Sequence, residues 1–281
     1  MKKFSLMRPQ TLEEALTILR DAPDVLPLNG GTDLMVDVNE GKLISPRFMY
    51  IGGLPELKKI EVRDGTLCFG GAVTYTELGA CPDISAFPCI GQALSNLASP
   101  PIRNMGTPAG NMGTASPAGD FNLILLALGA EADLVSAAGM RTVPLSEFYL
   151  GVGKTVREKS ELIAEIRIPL VKGQHSAFVK LGRRRGQDIS RVSSAVSYLL
   201  DEGRIRDPRI AIGAVNAVPF RSGTFEEIVS GKTPDEAEAA LEGAFPAEAN
   251  PRRAYKRYVV TPMVRRAIRE AQAQEGDWQW S

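Results

Sequence analysis

The chain has 281 residues, enough for one large domain or two modest ones with a sizeable hydrophobic core. Its 33 Lys and Arg residues balance its 33 Asp and Glu residues, and this zero net charge disfavours nucleic-acid binding. Three scattered cysteines and one histidine argue against a disulfide framework, a zinc ribbon, a His-rich metal site and a Ser-His-Asp triad. Because no long apolar segment follows the N-terminus and no apolar run can span a bilayer, we expect a cytoplasmic protein without a membrane span.

The N-terminal part of the chain predicts short strands alternating with helices. Apolar runs of strand length predict strands at Phe4–Met7, Val25–Leu28 and Phe48–Ile51. Apolar residues at helical spacing after Thr11 predict a helix with Thr11 as its N-cap and the Glu14 side chain reaching back to the cap. A short helix is predicted at Leu54–Leu57.

The residues after the second strand, Asn29-Gly30-Gly31-Thr32-Asp33, form the first informative motif, which we call the glycine turn (Asn29–Asp33). Two glycines after a strand can expose consecutive backbone N–H groups in a concave turn that binds phosphate oxygens. An ordinary turn explains the same dipeptides equally well. The chain carries neither GxGxxG nor GxxxxGK[ST], so the sequence shows no Rossmann fingerprint and no P-loop.

The middle of the chain predicts hairpins and apolar helices. Hairpins are predicted from Lys59–Val62 with Thr66–Gly70 and from Ala132–Ser136 with Arg141–Pro144, and a further strand at Leu162–Ile168. Helices are predicted from a capped start at Thr74–Glu77, at Ile90–Ala98 and at Phe121–Ala130.

The 99–120 segment (Ser99–Asp120) is the second informative motif. Its content of Gly, Pro, Ser, Thr and Asn predicts a long polar loop without helix or strand, held between two apolar helices. Its glycines allow close approach to a ligand, and its side chains offer hydrogen bonds from Thr107, Asn111, Thr114 and Ser116. Such a loop is often functional, and the alternative is an ordinary surface loop.

The segment Val171–His175 is turn-like and predicts a boundary between a domain at 1–172, with subdomains at about 1–55 and 56–172, and a domain at 173–281. The second domain predicts strands at Ala177–Leu181, Val192–Leu200 and Arg209–Val218, followed by helices at Phe225–Ser230, Pro234–Leu241 and Pro251–Ala273. Pro262 is expected to kink or split the last helix. Trp278 and Trp280 predict either a partner-docking tail or a frayed terminus.

Three motifs in this order resemble the FAD-binding subunit, or medium chain, of the molybdenum hydroxylases, the family of xanthine dehydrogenase and carbon monoxide dehydrogenase. They are Asn29–Leu34, then Pro101–Asn111 with Ala115–Asp120, and then Lys180–Ile189. The resemblance implies an α+β fold: a two-part FAD-binding domain of the PCMH type, similar to vanillyl-alcohol oxidase, followed by a small domain of antiparallel sheet and helices. Where the family has Leu-Gly, this chain has Pro108-Ala109, which either pre-shapes the turn or displaces one phosphate contact.

The resemblance also implies a set of FAD contacts. The glycine turn and its flanks would surround the pyrophosphate together with Asn111, while Thr114 and Asp120 would contact the ribityl or adenosine part. Ile163 would lie against the flavin and Lys180 near its ring, where it can tune the flavin. The complete implied set is Leu26, Pro27, Leu28, Asn29, Gly30, Gly31, Thr32, Asp33, Leu34, Ile102, Gly106, Thr107, Gly110, Asn111, Thr114, Ser116, Asp120, Ile163 and Lys180. No catalytic side chain and no metal ligand is implied in this chain.

In function, the resemblance implies an oxidoreductase subunit that carries electrons through FAD. The molybdopterin cofactor would lie in a large partner subunit and two [2Fe–2S] clusters in a small one, with a nicotinamide, oxygen or a quinone-linked carrier as acceptor. Two alternatives remain open, a free-standing FAD-dependent dehydrogenase and a scaffold subunit without flavin. Arg183, Arg184 and Arg185 are either a solvated basic turn or a contact to the acceptor or the iron-sulfur subunit.

Overall fold

The computed structural model describes residues 3–184 and 188–273, and its N-terminal unit is a small parallel sheet with two helices. The strands are β1 (Ser5–Met7), β2 (Leu26–Leu28) and β3 (Arg47–Tyr50), in the order β1–β3–β2, and the helices are α1 (Leu12–Asp21) and α2 (Leu34–Glu40). Thr11 caps α1 by accepting from the Glu14 N–H, as predicted, but the Glu14 carboxylate accepts from the N–H of Gln10 rather than that of Thr11. A 3₁₀ turn at Pro55–Leu57 ends this unit.

The second unit is a five-stranded antiparallel sheet that confirms both predicted hairpins. In spatial order its strands are β4 (Ile60–Arg63), β5 (Thr66–Gly70), β10 (Leu162–Pro169), β6 (Glu131–Ser136) and β7 (Gly139–Pro144). The remaining elements of this unit are α3 (Tyr75–Gly79), a 3₁₀ helix at Pro82–Ala86, α4 (Pro88–Asn96), α8 (Leu145–Phe148) and the hairpin of β8 (Tyr149–Gly151) with β9 (Lys154–Thr155). Thr74 and Glu77 form the predicted capping box at α3.

The prediction that the 99–120 segment lacks regular structure is wrong, because it contains α5 (Pro100–Arg103) and α6 (Pro108–Thr114). Thr107 caps α6 by accepting from the Gly110 N–H at 2.9 Å. Pro108 occupies the first turn of the helix, where its fixed φ suits the backbone and its missing N–H breaks no helical hydrogen bond. Thr107 and Pro108, residue types that are common in loops, therefore start this short helix.

Helix α7 (Asp120–Ala127) lies between the five-stranded sheet and the four-stranded sheet of the C-terminal unit, which is described below. All eight of its residues are buried, and its core neighbours include Phe178, Ala195 and Ala211 of the C-terminal unit. It ends three residues before the predicted end at Ala130, because Gly129 adopts a left-handed φ of 68°.

The C-terminal unit is a four-stranded antiparallel sheet with a helical layer, which confirms the predicted α+β fold. Its strands, in spatial order, are β11 (His175–Leu181), β12 (Val192–Asp201), β13 (Arg204–Gly213) and β14 (Phe220–Arg221). The expected third strand at Arg209–Val218 was misplaced. The turn at Glu202-Gly203 pairs Asp201 directly with Arg204, so the strand starts earlier, and Ala214 ends it with a φ of 62°.

Three helices cover this sheet: α9 (Gly223–Val229), α10 (Pro234–Ala240) and α11 (Ala254–Gln272). Contrary to the expectation of a split, α11 continues through Pro262, because its buried face, which includes Val260, Val264 and Ile268, packs on β11 and β12. Trp278 and Trp280 lie outside the described residues. No described helix is both long and apolar enough to cross a membrane.

Candidate functional site

A cleft of about 390 Å³ opens where the glycine turn meets α6 and the start of β10. This volume is within the range of small-molecule and cofactor sites. Most of the predicted contact residues line it: Leu26, Pro27, Asn29, Gly30, Gly31, Thr32, Asp33, Leu34, Ile102, Gly106, Thr107, Gly110, Asn111, Thr114 and Ile163. The structure thus brings together two motifs that are far apart in the sequence.

The glycine turn forms one wall of the cleft and needs its glycines. A Cβ on Gly30 would lie 1.9 Å from the carbonyl oxygen of Met105, and Gly31 has a left-handed φ of 68°. The backbone N–H groups of residues 30 to 33 donate no hydrogen bond to any described residue. Four consecutive free donors in a cleft-lining turn are what the bound oxygens of a phosphate require.

Asn29 ties this wall to the rest of the cleft. Its side-chain Nδ2 donates to the carbonyl oxygen of Gly71 at 3.0 Å and to Oγ1 of Thr107 at 3.2 Å. Its Oδ1 is buried without a hydrogen-bond partner. The Asn29 side chain therefore links the N-terminal unit, the small parallel sheet, to the end of β5 and the start of α6.

The opposite wall, from α3 and α6, also carries polar atoms without partners. The Asn111 Oδ1 and the Tyr75 hydroxyl are buried and make no hydrogen bond within the described chain. Burial, followed by the nearby carboxylates of Asp33 and Asp120, raises the pKa of Tyr75 well above its usual value, so its hydroxyl stays a neutral donor. Thr114 donates from Oγ1 to Oδ2 of Asp33 at 2.9 Å and so joins the two walls.

Several cleft residues were not in the implied contact set, although Gly113 is one of the segment's ligand-approaching glycines: Ile51, Tyr75, Leu97, Ala98, Ala109, Gly113, Arg157, Glu161 and Leu162. Arg157 and Glu161 belong to the connection between β9 and β10, which has no motif of its own. The Glu161 carboxylate accepts from Nε and Nη2 of Arg141, at 2.7 and 2.9 Å, and from the N–H of Glu158 at 2.7 Å. These hydrogen bonds hold the pKa of Glu161 below its usual value despite its burial.

Four of the predicted contact residues lie outside the cleft lining. Leu28 packs in a small cluster with Val38 and Phe48, and Ser116 Oγ accepts from the N–H of Ala118 at 3.3 Å. Asp120 and Lys180 form a buried ion pair, with Nζ and Oδ2 2.8 Å apart.

This ion pair belongs to a polar cluster between α7 and the C-terminal sheet. Ser190 donates from Oγ to Oδ1 of Asp120, and Lys180 Nζ also donates to the carbonyl oxygen of Asp188 at 2.8 Å. Burial raises the pKa of Asp120, while Lys180 and Ser190 lower it. All polar atoms of the pair therefore have partners within the chain, which indicates a structural link between the two units.

The basic segment 183–185 is described up to Arg184, and Arg185 lies outside the described residues. The backbone N–H groups of Arg183 and Arg184 both donate to Oδ2 of Asp188. This arrangement fixes the backbone of the turn at Asp188.

Comparisons with known proteins agree with this site. A sequence model of the FAD binding domain in molybdopterin dehydrogenase matches residues 2–171, and one of the CO dehydrogenase flavoprotein C-terminal domain matches residues 177–271. The chain is 32% identical over 232 residues to the glyceraldehyde dehydrogenase medium chain of Sulfolobus acidocaldarius, covering 82% of each protein. It is 32% identical over 239 residues to the nicotinate dehydrogenase FAD-subunit of Eubacterium barkeri, covering 82% of this chain and 81% of that one.

The fold is similar to that of a chain of carbon monoxide dehydrogenase from Hydrogenophaga pseudoflava. The TM-score is 0.87 at 28% sequence identity, and the match covers 96% of this chain and 98% of that one. The likeness thus extends over the small parallel sheet, the five-stranded sheet and the C-terminal unit.

Proposed function

The chain belongs to the family of the FAD-binding subunits of molybdopterin dehydrogenases, and on this premise we propose that it is the electron-transfer subunit of a multi-subunit molybdenum hydroxylase. Its cofactor is FAD, which makes it a flavoprotein of the oxidoreductase class. When bound, FAD supplies the transfer of electrons from the [2Fe–2S] clusters of a small partner subunit to an external acceptor. Substrate would be hydroxylated at a molybdopterin cofactor in a large partner subunit.

The residues of the cleft fit FAD, and this is the observation that carries the proposal. The free N–H groups at positions 30 to 33 can donate to phosphate oxygens, which are acceptors only. The Tyr75 hydroxyl and the Oδ1 atoms of Asn29 and Asn111 are buried at the cleft without hydrogen-bond partners. Leaving them unpaired costs free energy unless a ligand supplies the missing partners. A polar ligand with both donors and acceptors along its length satisfies all of these groups.

This chain's own work in the complex is to bind and orient the cofactor. The glycine turn would hold the pyrophosphate, while Ile163, Leu162 and Leu26 provide apolar surface for a ring. We include in the proposal the division of the chain at about residue 172, with the cleft built by the N-terminal part.

The proposal of partner subunits is supported by the names of the relatives, which are a medium chain and an FAD-subunit of dehydrogenases. Within the described residues no group of three or more His, Cys, Asp or Glu side chains is placed to hold a metal ion. The proposal includes an electron acceptor that is a nicotinamide, oxygen or a quinone-linked carrier. Assays of acceptor reduction by the complex distinguish these three.

Reconstitution of the purified full chain with FAD tests the proposal. We expect one FAD per chain and a flavin absorbance band after removal of excess cofactor. A chain that is folded by circular dichroism but binds no FAD would instead support the scaffold alternative. Co-purification with a cysteine-rich small subunit then separates an electron-transfer subunit from a free-standing dehydrogenase, which would purify alone and reduce an acceptor by itself.

A further inference from the structure

The charged side chains that line the cleft differ in whether another side chain pairs with them. Among the described residues that line it, the charged ones are Asp33, Arg157 and Glu161. Asp33 accepts from Thr114, and Glu161 is paired with Arg141 through both carboxylate oxygens. Arg157 is therefore the one cation in this described lining.

Arg157 is held in place by the backbone and not by an acidic partner. Its Nη1 donates to the carbonyl oxygens of Glu158 and Glu161, at 2.9 and 2.7 Å. The Glu161 carboxylate is already engaged by Arg141, and Arg157 forms no ion pair with any carboxylate in the described part of the chain. Burial lowers the pKa of its guanidinium, and the nearby charge of Glu161 offsets this only in part.

A doubly anionic ligand would compensate the charge of Arg157 further. The glycine turn offers phosphate oxygens only neutral N–H donors, and the nearest acidic side chain, Asp33, repels them. A guanidinium is planar and presents several N–H donors, and in Arg157 only Nη1 is used by the two carbonyls. The remaining donors can bind oxygens of the ligand while the two carbonyls keep the group in position.

We propose that Arg157 binds the pyrophosphate of FAD as its cationic partner in this cleft. The inference rests on the proposed FAD cleft and adds a residue that no sequence motif marks. Arg157 and the glycine turn then approach the pyrophosphate from different elements, the β9–β10 connection and the end of β2.

The test is the affinity of the full chain for FAD, ADP and riboflavin, measured by calorimetry and by flavin fluorescence. In Arg157→Met we expect FAD and ADP to bind about 10- to 100-fold more weakly, since a charge-assisted hydrogen bond is lost. Riboflavin, which has no phosphate, should bind within about twofold of wild type. Arg157→Lys keeps the charge without the planar fork, and its affinity for FAD and ADP should lie between those of wild type and Arg157→Met.

Arg209→Met is the matched control, because Arg209 also donates to a backbone carbonyl, that of Leu128 at 3.3 Å, and lies outside the cleft. It should leave all three affinities unchanged. The inference is overturned if Arg157→Met binds FAD and ADP like wild type, or if riboflavin loses affinity by the same factor as FAD. If the folded wild-type chain itself binds no FAD, the proposed function fails. If wild type binds FAD and Arg157→Met binds it equally well, only the inference about Arg157 fails.

Discussion

Replacing Lys180 by Met is expected to destabilise the full chain by about 3–5 kcal/mol near neutral pH, the usual cost of removing one member of a buried ion pair. The side chains of Lys180 and Asp120 are 13% and 6% exposed, so water can do little to screen the charge that is left. Methionine fills a similar volume but cannot donate to the Asp120 carboxylate. That carboxylate would keep only the Ser190 hydroxyl as a side-chain partner.

The loss should depend on pH in a defined direction. Burial raises the folded-state pKa of Asp120, and Lys180 is the main group that lowers it again. Without Lys180 this pKa lies further above its value in the unfolded chain, about 3.9. The folded variant then binds more protons than the unfolded one over this window, so its stability falls as the pH rises from about 4 through the folded pKa. The difference from wild type should therefore be larger at about pH 8 than at about pH 5.

Urea denaturation of wild type, Lys180→Met, Asp120→Asn and the double variant measures these terms. We expect the double variant to lose less stability than the sum of the two single ones, because each single variant leaves one unpaired charge behind and the double variant leaves none. A loss below about 1 kcal/mol in Lys180→Met at about pH 8, together with a large loss of FAD affinity, would refute the structural role. That result would instead support the flavin contact implied by the sequence resemblance.

Three further substitutions test the cleft itself. Tyr75→Phe removes a buried hydroxyl that has no partner, so the stability of the apo chain in thermal unfolding should stay the same or rise by up to about 1 kcal/mol. FAD should bind several-fold more weakly, and tighter FAD binding would contradict this. In Gly113→Ala, inside helix α6, the added Cβ meets nothing within 4 Å, so the apo chain should gain about 0.5–1 kcal/mol of stability. The affinity for FAD should fall, because residue 113 lines the cleft. Gly30→Ala places a Cβ against the Met105 carbonyl, and both stability and FAD affinity should drop; unchanged affinity by fluorescence titration would show that the turn can shift freely.

Local patterns were sufficient to predict much of the fold. The caps at Thr11 and Thr74 and the hairpin of β4 with β5 depend on side chains within a few residues of each other, so spacing alone identifies them. Helix α6 was missed for a local reason too. Its N-cap Thr107 and the following Pro108 have the composition of a loop although together they start a helix.

The site was less accessible to sequence reasoning where it depends on tertiary packing. The glycine turn could be recognised because its close approach at Gly30 and its left-handed φ at Gly31 require glycines, and the resemblance supplied its partner in the 99–120 segment. Arg157 could not be recognised, since it reaches the cleft only after β10 has paired with β5 and β6. The same limit applies to Asp120 and Lys180, whose mutual ion pair joins residues far apart in the chain and places both outside the cleft lining.

The Asn29 side chain has a consequence for the rates of cofactor exchange. By donating to Gly71 and Thr107 it fastens the glycine turn to β5 and α6 before any ligand is present. Walls that are already fixed lose little conformational entropy on binding, and they need no hinge motion to admit a ligand. Association should then follow a single exponential phase without a slow closing step. Differences in affinity among variants of this cleft should appear chiefly in how long FAD stays bound.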